Sequence, residues 1–283
     1  MVINVLSGKG GTGKTTVSTN LAYVLKDFGH DVQLIDTDVE EPNSHIFFEI
    51  EFQRERSVDI LLPVVDKEKC TLCGECAKVC QFGAIVVFPK SVMVFDYLCH
   101  GCGACAMVCP EKAISEVPKS IGKIMFGKTK EGMDFGMGLL NVGEPSGVRV
   151  IRELKREMRK DAEVTVIDSP PGTSCPVVES LRGSDFAVLV TESTPFGLHD
   201  LKMAIRVVEE MGIPYGVVVN RYDPDFEDMD RFLESRGIAV LMKIPFDREI
   251  AHHYSKGEIF SRRIEGWKER FFEMYEKIRE MIG

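Results

Sequence analysis

The chain has 283 residues, 44% of them apolar and 28% charged, so one large domain or one domain with a small insert is expected. Its 35 Lys+Arg against 44 Asp+Glu give a net charge of −9, which argues against broad electrostatic capture of nucleic acid or anionic lipid. The start shows no secretory signal pattern and no run approaches the roughly 18 to 20 apolar residues that span a bilayer, so a soluble, cytoplasmic protein is expected.

Val2 to Leu6 reads as a short buried strand. It runs into Gly8-Lys9-Gly10-Gly11-Thr12-Gly13-Lys14-Thr15-Thr16, and a helix is predicted from Thr15 to about Phe28, stopped by Gly29. The segment has the spacing G-x-x-x-x-G-K-T between strand and helix, the pattern of a phosphate loop. Its glycines let backbone N–H groups close around phosphate oxygens, and the helix adds its positive N-terminal end. Lys14 neutralises the β and γ phosphates, and the Thr15 hydroxyl is placed to ligate Mg²⁺. Val32 to Ile35 is the next buried strand, ending on Asp36-Thr37-Asp38.

Eight of the nine cysteines fall between Cys70 and Cys109. Cys70, Cys73, Cys76 and Cys80 have the spacing C-x2-C-x2-C-x3-C, and Cys99, Cys102, Cys105 and Cys109 repeat it. Such clustering in a chain without a secretion signal points to metal and not to disulfides. Zinc shares the C-x2-C pairs, but the third cysteine and the duplicated x3 spacing favour iron–sulfur clusters. The expected organisation is a domain made of residues 1–63 and 119–283, interrupted by an insert at 64–118.

Two glycine-rich aliphatic runs follow, Gly122 to Lys128 and Phe135 to Val142, and read as a hairpin; a charged helix is predicted from about Gly147 to Arg159. Val164 to Ile167, Ala187 to Val190 and Val217 to Val219 are continuous apolar runs of the kind buried on both faces of a sheet. Helical patterns at Leu198 to Met211 and Phe226 to Arg236 alternate with them, implying an α/β fold with a mainly parallel sheet covered on both sides. Asp168 ends one strand and is followed by Ser169-Pro170-Pro171-Gly172; Asn220-Arg221-Tyr222-Asp223 ends another and departs from the guanine-reading N-K-x-D by its arginine. Trp267, Phe271, Tyr275, Ile278 and Ile282 form a stripe on a C-terminal helix whose polar face is charge-balanced, which predicts packing on the core and not insertion in lipid.

Lys9, a second lysine early in the phosphate loop, gives the segment its closest resemblance: the deviant Walker family that includes MinD, ParA, Mrp and the nitrogenase iron protein. The resemblance implies an ATP-dependent sandwich homodimer in which Lys9 reaches the partner's nucleotide. It implies that Asp38 orients or activates the attacking water and that Asp168 holds Mg²⁺ through water. Asp168, Pro171 and Gly172 then form the second switch, and Asn220 contacts adenine, so ATP and ADP are the expected nucleotides. The cysteine runs resemble the bacterial two-cluster ferredoxin, in which each fourth cysteine serves the other cluster. That resemblance assigns Cys70, Cys73, Cys76 and Cys109 to one 4Fe-4S cluster and Cys99, Cys102, Cys105 and Cys80 to the second. Gln81 stands where proline is usual, which predicts a looser turn after Cys80, while Pro110 completes the second copy.

Together these resemblances imply an ATP-hydrolysing iron–sulfur protein that couples dimerisation to electron transfer with a redox partner. The alternatives are an Mrp-like cluster carrier or assembly ATPase, or a ParA/MinD-like positioning ATPase with structural clusters. Neither a nucleic-acid partner nor stable membrane insertion is expected. Cys175 lies at the offset of a bridging-cluster cysteine in the nitrogenase iron protein, but the second member of that pair has no counterpart; a small buried residue at a helix start is the simpler expectation.

Overall fold

The computed structural model describes residues Met1–Gly283. In chain order the elements are β1 (Val2–Leu6), α1 (Lys14–Asp27), β2 (Val32–Asp36), β3 (Ile50–Val65), α2 (Glu75–Val79), β4 (Ile85–Phe88), β5 (Ser91–Val94) and α3 (Ala104–Met107). There follow β6 (Ile114–Thr129), β7 (Asp134–Leu140), α4 (Val148–Glu157), β8 (Val164–Asp168), α5 (Cys175–Leu181), β9 (Phe186–Glu192) and α6 (Pro195–Glu210). The chain closes with β10 (Tyr215–Tyr222), α7 (Glu227–Ser235), β11 (Val240–Pro245), α8 (Arg248–Ser255) and α9 (Trp267–Ile282). It divides into two compact units: Met1–Glu55 with Ile124–Leu139 and Val148–Gly283, and Arg56–Lys123 with Leu140–Gly147.

A nine-stranded sheet runs in the order β11-β10-β9-β1-β8-β2-β7-β6-β3. From β11 to β7 the neighbours are parallel, and β1 lies between β8 and β9 with Ile3 opposite both Val166 and Phe186. Between β6 and β7 the chain reverses through the turn at 130–133, where Gly132 N–H donates to Thr129 O at 2.8 Å, so the sheet is mixed. The first unit buries both faces of its strands because side chains alternate along each one. Ile3, Val5, Leu34 and Val166 meet Val17 and Leu21 of α1 and Phe271, Met274 and Ile278 of α9. Leu6, Leu189, Val217 and Val219 point the other way, onto Val177, Leu201, Ile205 and Met229. The C-terminal stripe packs on this core, with Trp267, Phe271, Tyr275 and Ile278 buried, and no helix is long and apolar enough to cross a membrane.

The second unit is built differently. Its α2 and α3 stand beside a β4–β5 hairpin in which Ile85 pairs with Val94 and Phe88 with Ser91. Its buried apolar side chains are Val58, Leu62, Pro63, Cys76, Ala84, Ile85, Ala113 and Ile121, a thin core for a unit of this length. The unit begins earlier than residue 64 and takes in a second segment, because β3 and β6 are 16 residues long. The charged start of β3, Glu51 to Arg56, hides it from a search for apolar runs; charges of this sort guard the edge of a sheet.

Candidate nucleotide site and cysteine cavities

Parallel strands deliver the loops after their C-terminal ends to one edge of the sheet, where open α/β sheets bind ligands. In the first unit that edge collects Gly8–Thr16 after β1, Thr37–Ser44 after β2, Ser169–Gly172 after β8, Asn220 and Arg221 near the end of β10, and Pro245–Asp247 after β11. Gly13 caps α1 at φ 99°, in the left-handed region that glycine adopts without strain. A Cβ there would also stand 2.3 Å from Asn220 Nδ2, and one on Gly8 would stand 2.3 Å from Asp200 O, so both positions accept only glycine. Gly10 and Gly11 face open space, Thr12 and Lys14 are buried, and Thr12 Oγ1 has no partner.

Lys9 is held within its own chain: its ammonium nitrogen lies 2.5 Å from Glu192 Oε1 at the end of β9. Glu192 also faces Arg221, 3.5 Å away. Thr15 Oγ1 donates to Asn43 Oδ1 at 2.8 Å, at the foot of the loop that follows β2. That loop is organised by Asp36, whose carboxylate accepts N–H groups from Asp38, Asn43 and Ser44 at 2.9 to 3.0 Å. Ser44 Oγ in turn donates to Asp168 Oδ2 at 2.8 Å, while Asp168 Oδ1 is buried with no partner.

Three carboxyl groups therefore crowd one buried spot. Burial, then the nearby Asp168, push Asp36 up to about 8. Burial raises Asp38 to about 6, against the pull of Lys14, and burial raises Asp168 as well. Excess carboxylate with a free oxygen, next to the Thr15 hydroxyl, is the donor set a hard oxygen-seeking cation such as Mg²⁺ takes. The segment after β8 is tied back to the end of β1: Gly172, at φ 94°, donates its N–H to Ser7 O at 2.9 Å, with Pro171 beside it.

Beside the loop lies a cavity of about 320 Å³. Gly11, Gly13, Lys14, Thr15, Thr16 and Asn43 form one side, Asn220 and Arg221 the rim, and Pro245, Phe246, Asp247, Ile250, Ala251 and Tyr254 the far wall. The size and the apolar wall with few polar groups suit a nucleotide base and sugar. Asn220 spends its amide on Thr12 O at 2.8 Å, so it braces the loop as well as lining the cavity. The wall from Pro245 to Tyr254 was not foreseen; the signal available was a strand-like run at 240–244 followed by the Asp247 cap of a new helix.

In the second unit, Cys70, Cys73, Cys76 and Cys109 line one cavity and Cys80, Cys99, Cys102 and Cys105 line another. The two share a local geometry. Leu72 and Gly101 both have φ near 60°, as do Gly74 and Gly103 near 80°. Ala84 N–H donates to Cys80 Sγ and Ala113 N–H to Cys109 Sγ, each at 3.3 Å, so Gln81 does not loosen its turn relative to the copy with Pro110. A Cβ on Gly101 would meet Ile60 Cβ at 2.9 Å, which explains glycine there while Leu72 is tolerated in the other copy. No three or more His, Cys, Asp or Glu side chains stand close enough to hold a single metal ion; the cysteines surround cavities instead. Cys175 opens α5 as expected but is exposed, not buried; Val177, two residues on, is the side chain of the first turn that enters the core.

A family model described as the CobQ/CobB/MinD/ParA nucleotide binding domain matches residues 3–260. An uncharacterized protein of Methanocaldococcus jannaschii, MJ0579, is 36% identical over 262 residues, covering 92% of this chain and 91% of its own length. An iron-sulfur cluster carrier protein of Aquifex aeolicus is 25% identical over 272 residues, covering 91% of this chain and 60% of its own length. Among solved structures, the septum site-determining protein MinD of Pyrococcus horikoshii complexed with Mg-ADP aligns with a TM-score of 0.61 at 17% identity, covering 100% of this chain and 97% of that chain.

Proposed function

The chain belongs to the CobQ/CobB/MinD/ParA nucleotide-binding family, as a P-loop ATPase, and on that premise we propose that it is an ATP-driven iron–sulfur carrier or assembly factor. The observation that carries this reading is the pairing of a complete phosphate-loop site with two four-cysteine cavities. The reading places one 4Fe-4S cluster on Cys70, Cys73, Cys76 and Cys109 and a second on Cys80, Cys99, Cys102 and Cys105. Support comes from the matching N–H to Sγ bonds accepted by Cys80 and Cys109, the fourth cysteine of each run, and from the thin apolar core of the second unit, which needs a staple. When bound, the clusters supply either cargo or one-electron capacity.

The nucleotide half follows from its own residues. Lys14 and the loop N–H groups hold phosphate, Thr15 and Asp168 hold Mg²⁺, and Asp38 orients the attacking water. Lys9 leaves Glu192 to reach the nucleotide of a second copy in an ATP-dependent homodimer, and Pro171 and Gly172 move with the γ-phosphate. Asn220 and the Pro245–Tyr254 wall receive adenine. Among the relatives, cluster carriage and assembly have named counterparts, in the Aquifex protein and in a cytosolic Fe-S cluster assembly factor of Culex quinquefasciatus. Electron transfer to a redox partner, the function expected from the sequence, is the second reading, supported by complete four-thiolate sets of the resident type.

The test is to purify the protein anaerobically and incubate it with an apo iron–sulfur acceptor, with and without ATP. About eight iron and eight sulfide per chain, falling as the acceptor gains cluster only with ATP, is the expected result. Retained iron with ATP-dependent reduction of an acceptor dye would favour electron transfer. Zinc in place of iron would overturn both.

A further inference from the structure

The helix after the second switch, α5, is short, and its last carbonyls have no donors within the helix. Lys155 of α4 supplies one. Its half-buried ammonium donates to the backbone oxygens of Glu179 at 3.2 Å and Arg182 at 2.6 Å, and to that of Ser180. Arg152, one turn earlier on α4, grips the Glu179 carboxylate through two bonds at 3.0 and 3.1 Å. The far end of α5 is thus fixed to α4 through both backbone and side chain.

Ser180 is also where the two switch segments meet. It is fully buried with Asn4, Thr37 and Ser169. Its hydroxyl lies 2.7 Å from that of Thr37, between Asp36 and Asp38, and 2.6 Å from that of Ser169, next to Asp168. Thr37 donates to Asp168 O at 2.9 Å and Ser169 to Asn4 Oδ1 at 2.6 Å. Ser180 therefore holds the one hydroxyl proton left for two contacts, one toward each switch. Because Ser180, Thr37 and Ser169 are all buried away from solvent, a displaced Ser180 disturbs both segments at once.

We propose that Lys155 is a positioning residue for ATP hydrolysis, holding Ser180 so that the Asp38 and Asp168 segments keep their spacing. The proposal rests on membership in the ATPase family and is independent of the cluster reading. Neither Lys155 nor Ser180 lines the nucleotide cavity, so their loss acts on turnover and spares ground-state binding.

Steady-state hydrolysis and Mg-ADP affinity of the full chain test it, in Lys155→Met, Lys155→Arg, Ser180→Ala and the double variant of Lys155→Met with Ser180→Ala. Lys155→Met and Ser180→Ala should each lower kcat about tenfold, about 1.4 kcal/mol of barrier, with KM and ADP affinity within about twofold. Lys155→Arg should restore most of the rate, since a guanidinium still donates to carbonyls. The double variant should lose little more than the worse single one. Unchanged kcat in Ser180→Ala, which removes one oxygen and leaves folding least disturbed, overturns the proposal. So do equal losses of kcat and ADP affinity, additive losses in the double variant, or no rescue by arginine.

Discussion

Replacing Glu192 with Gln should promote the nucleotide-dependent dimer. In the single chain Lys9 Nζ sits 2.5 Å from Glu192 Oε1, with the two side chains 33% and 13% exposed. A fully exposed pair contributes about 0 to 1 kcal/mol and a hydrogen bond to a charged group about 1.5 to 3. This half-shielded pair falls between, at about 1 to 2 kcal/mol. Lys9 must give up that contact to reach across a dimer, and each protomer does so once, so the cost enters twice. Removing it therefore favours the dimer by about 2 to 4 kcal/mol, roughly 30- to 1000-fold in its dissociation constant. Sedimentation velocity with Mg²⁺ and a non-hydrolysable ATP analogue reads this directly, and the nucleotide-free variant should stay as monomeric as the parent. A dissociation constant within about twofold of the parent, or a weaker dimer, would refute the reasoning and leave the Lys9–Glu192 pair as a stabilising contact only.

Lys14→Ala should abolish nucleotide binding by calorimetry, whereas Lys9→Ala and Asp38→Ala should keep the affinity within about threefold and lose at least about 100-fold in turnover; normal hydrolysis by the Lys9 variant would contradict its action across the dimer. Gly13→Ala places a methyl group 2.3 Å from Asn220 Nδ2 at φ 99°, which should lower Tm by several degrees and cost nucleotide affinity, and an unchanged melt would argue against the tight approach. The raised carboxyl of Asp36 binds its proton more tightly folded than unfolded, so its stabilising contribution is full below about pH 4 and is lost as pH climbs through about 8. Melts of the nucleotide-free protein should therefore fall between about pH 4 and pH 8, with Mg-ADP recovering most at the upper end; a flat profile would mean that Asp36 is ionised throughout.

The phosphate loop was legible because its residues are contiguous and its chemistry demands particular types at fixed steps. The eight clustered cysteines stand out in the sequence for the same reason; in the structure Cys109 lines a cavity with Cys70, Cys73 and Cys76, while Cys80 lines the other. What stayed hidden is assembled from distant segments. Glu192 meets Lys9 across 183 positions of chain, and nothing near either residue marks the pairing. Asp36 looked like a companion to Asp38, yet it is the group that folds the loop by accepting three N–H bonds. The Pro245–Tyr254 wall becomes part of the site only because β11 runs parallel to β10 and ends at the same edge. Cys175 was misjudged on burial because which side of a short helix meets solvent depends on its packing partners, not on its own spacing.

The position of β1 in the sheet sets an order on synthesis. Both of its neighbours, β8 and β9, are made from residues 164–192, so the first strand leaves the ribosome and waits about 10 to 40 seconds for a partner at typical translation speeds. The last of the eight clustered thiols, Cys109, emerges long before that wait ends, and the segment Arg56–Lys123 is complete soon after. A growing chain thus presents finished cysteine sets while its phosphate loop still has no sheet behind it. Whatever shields Ile3 and Val5 in the meantime therefore bears on the yield of active protein before any nucleotide is bound.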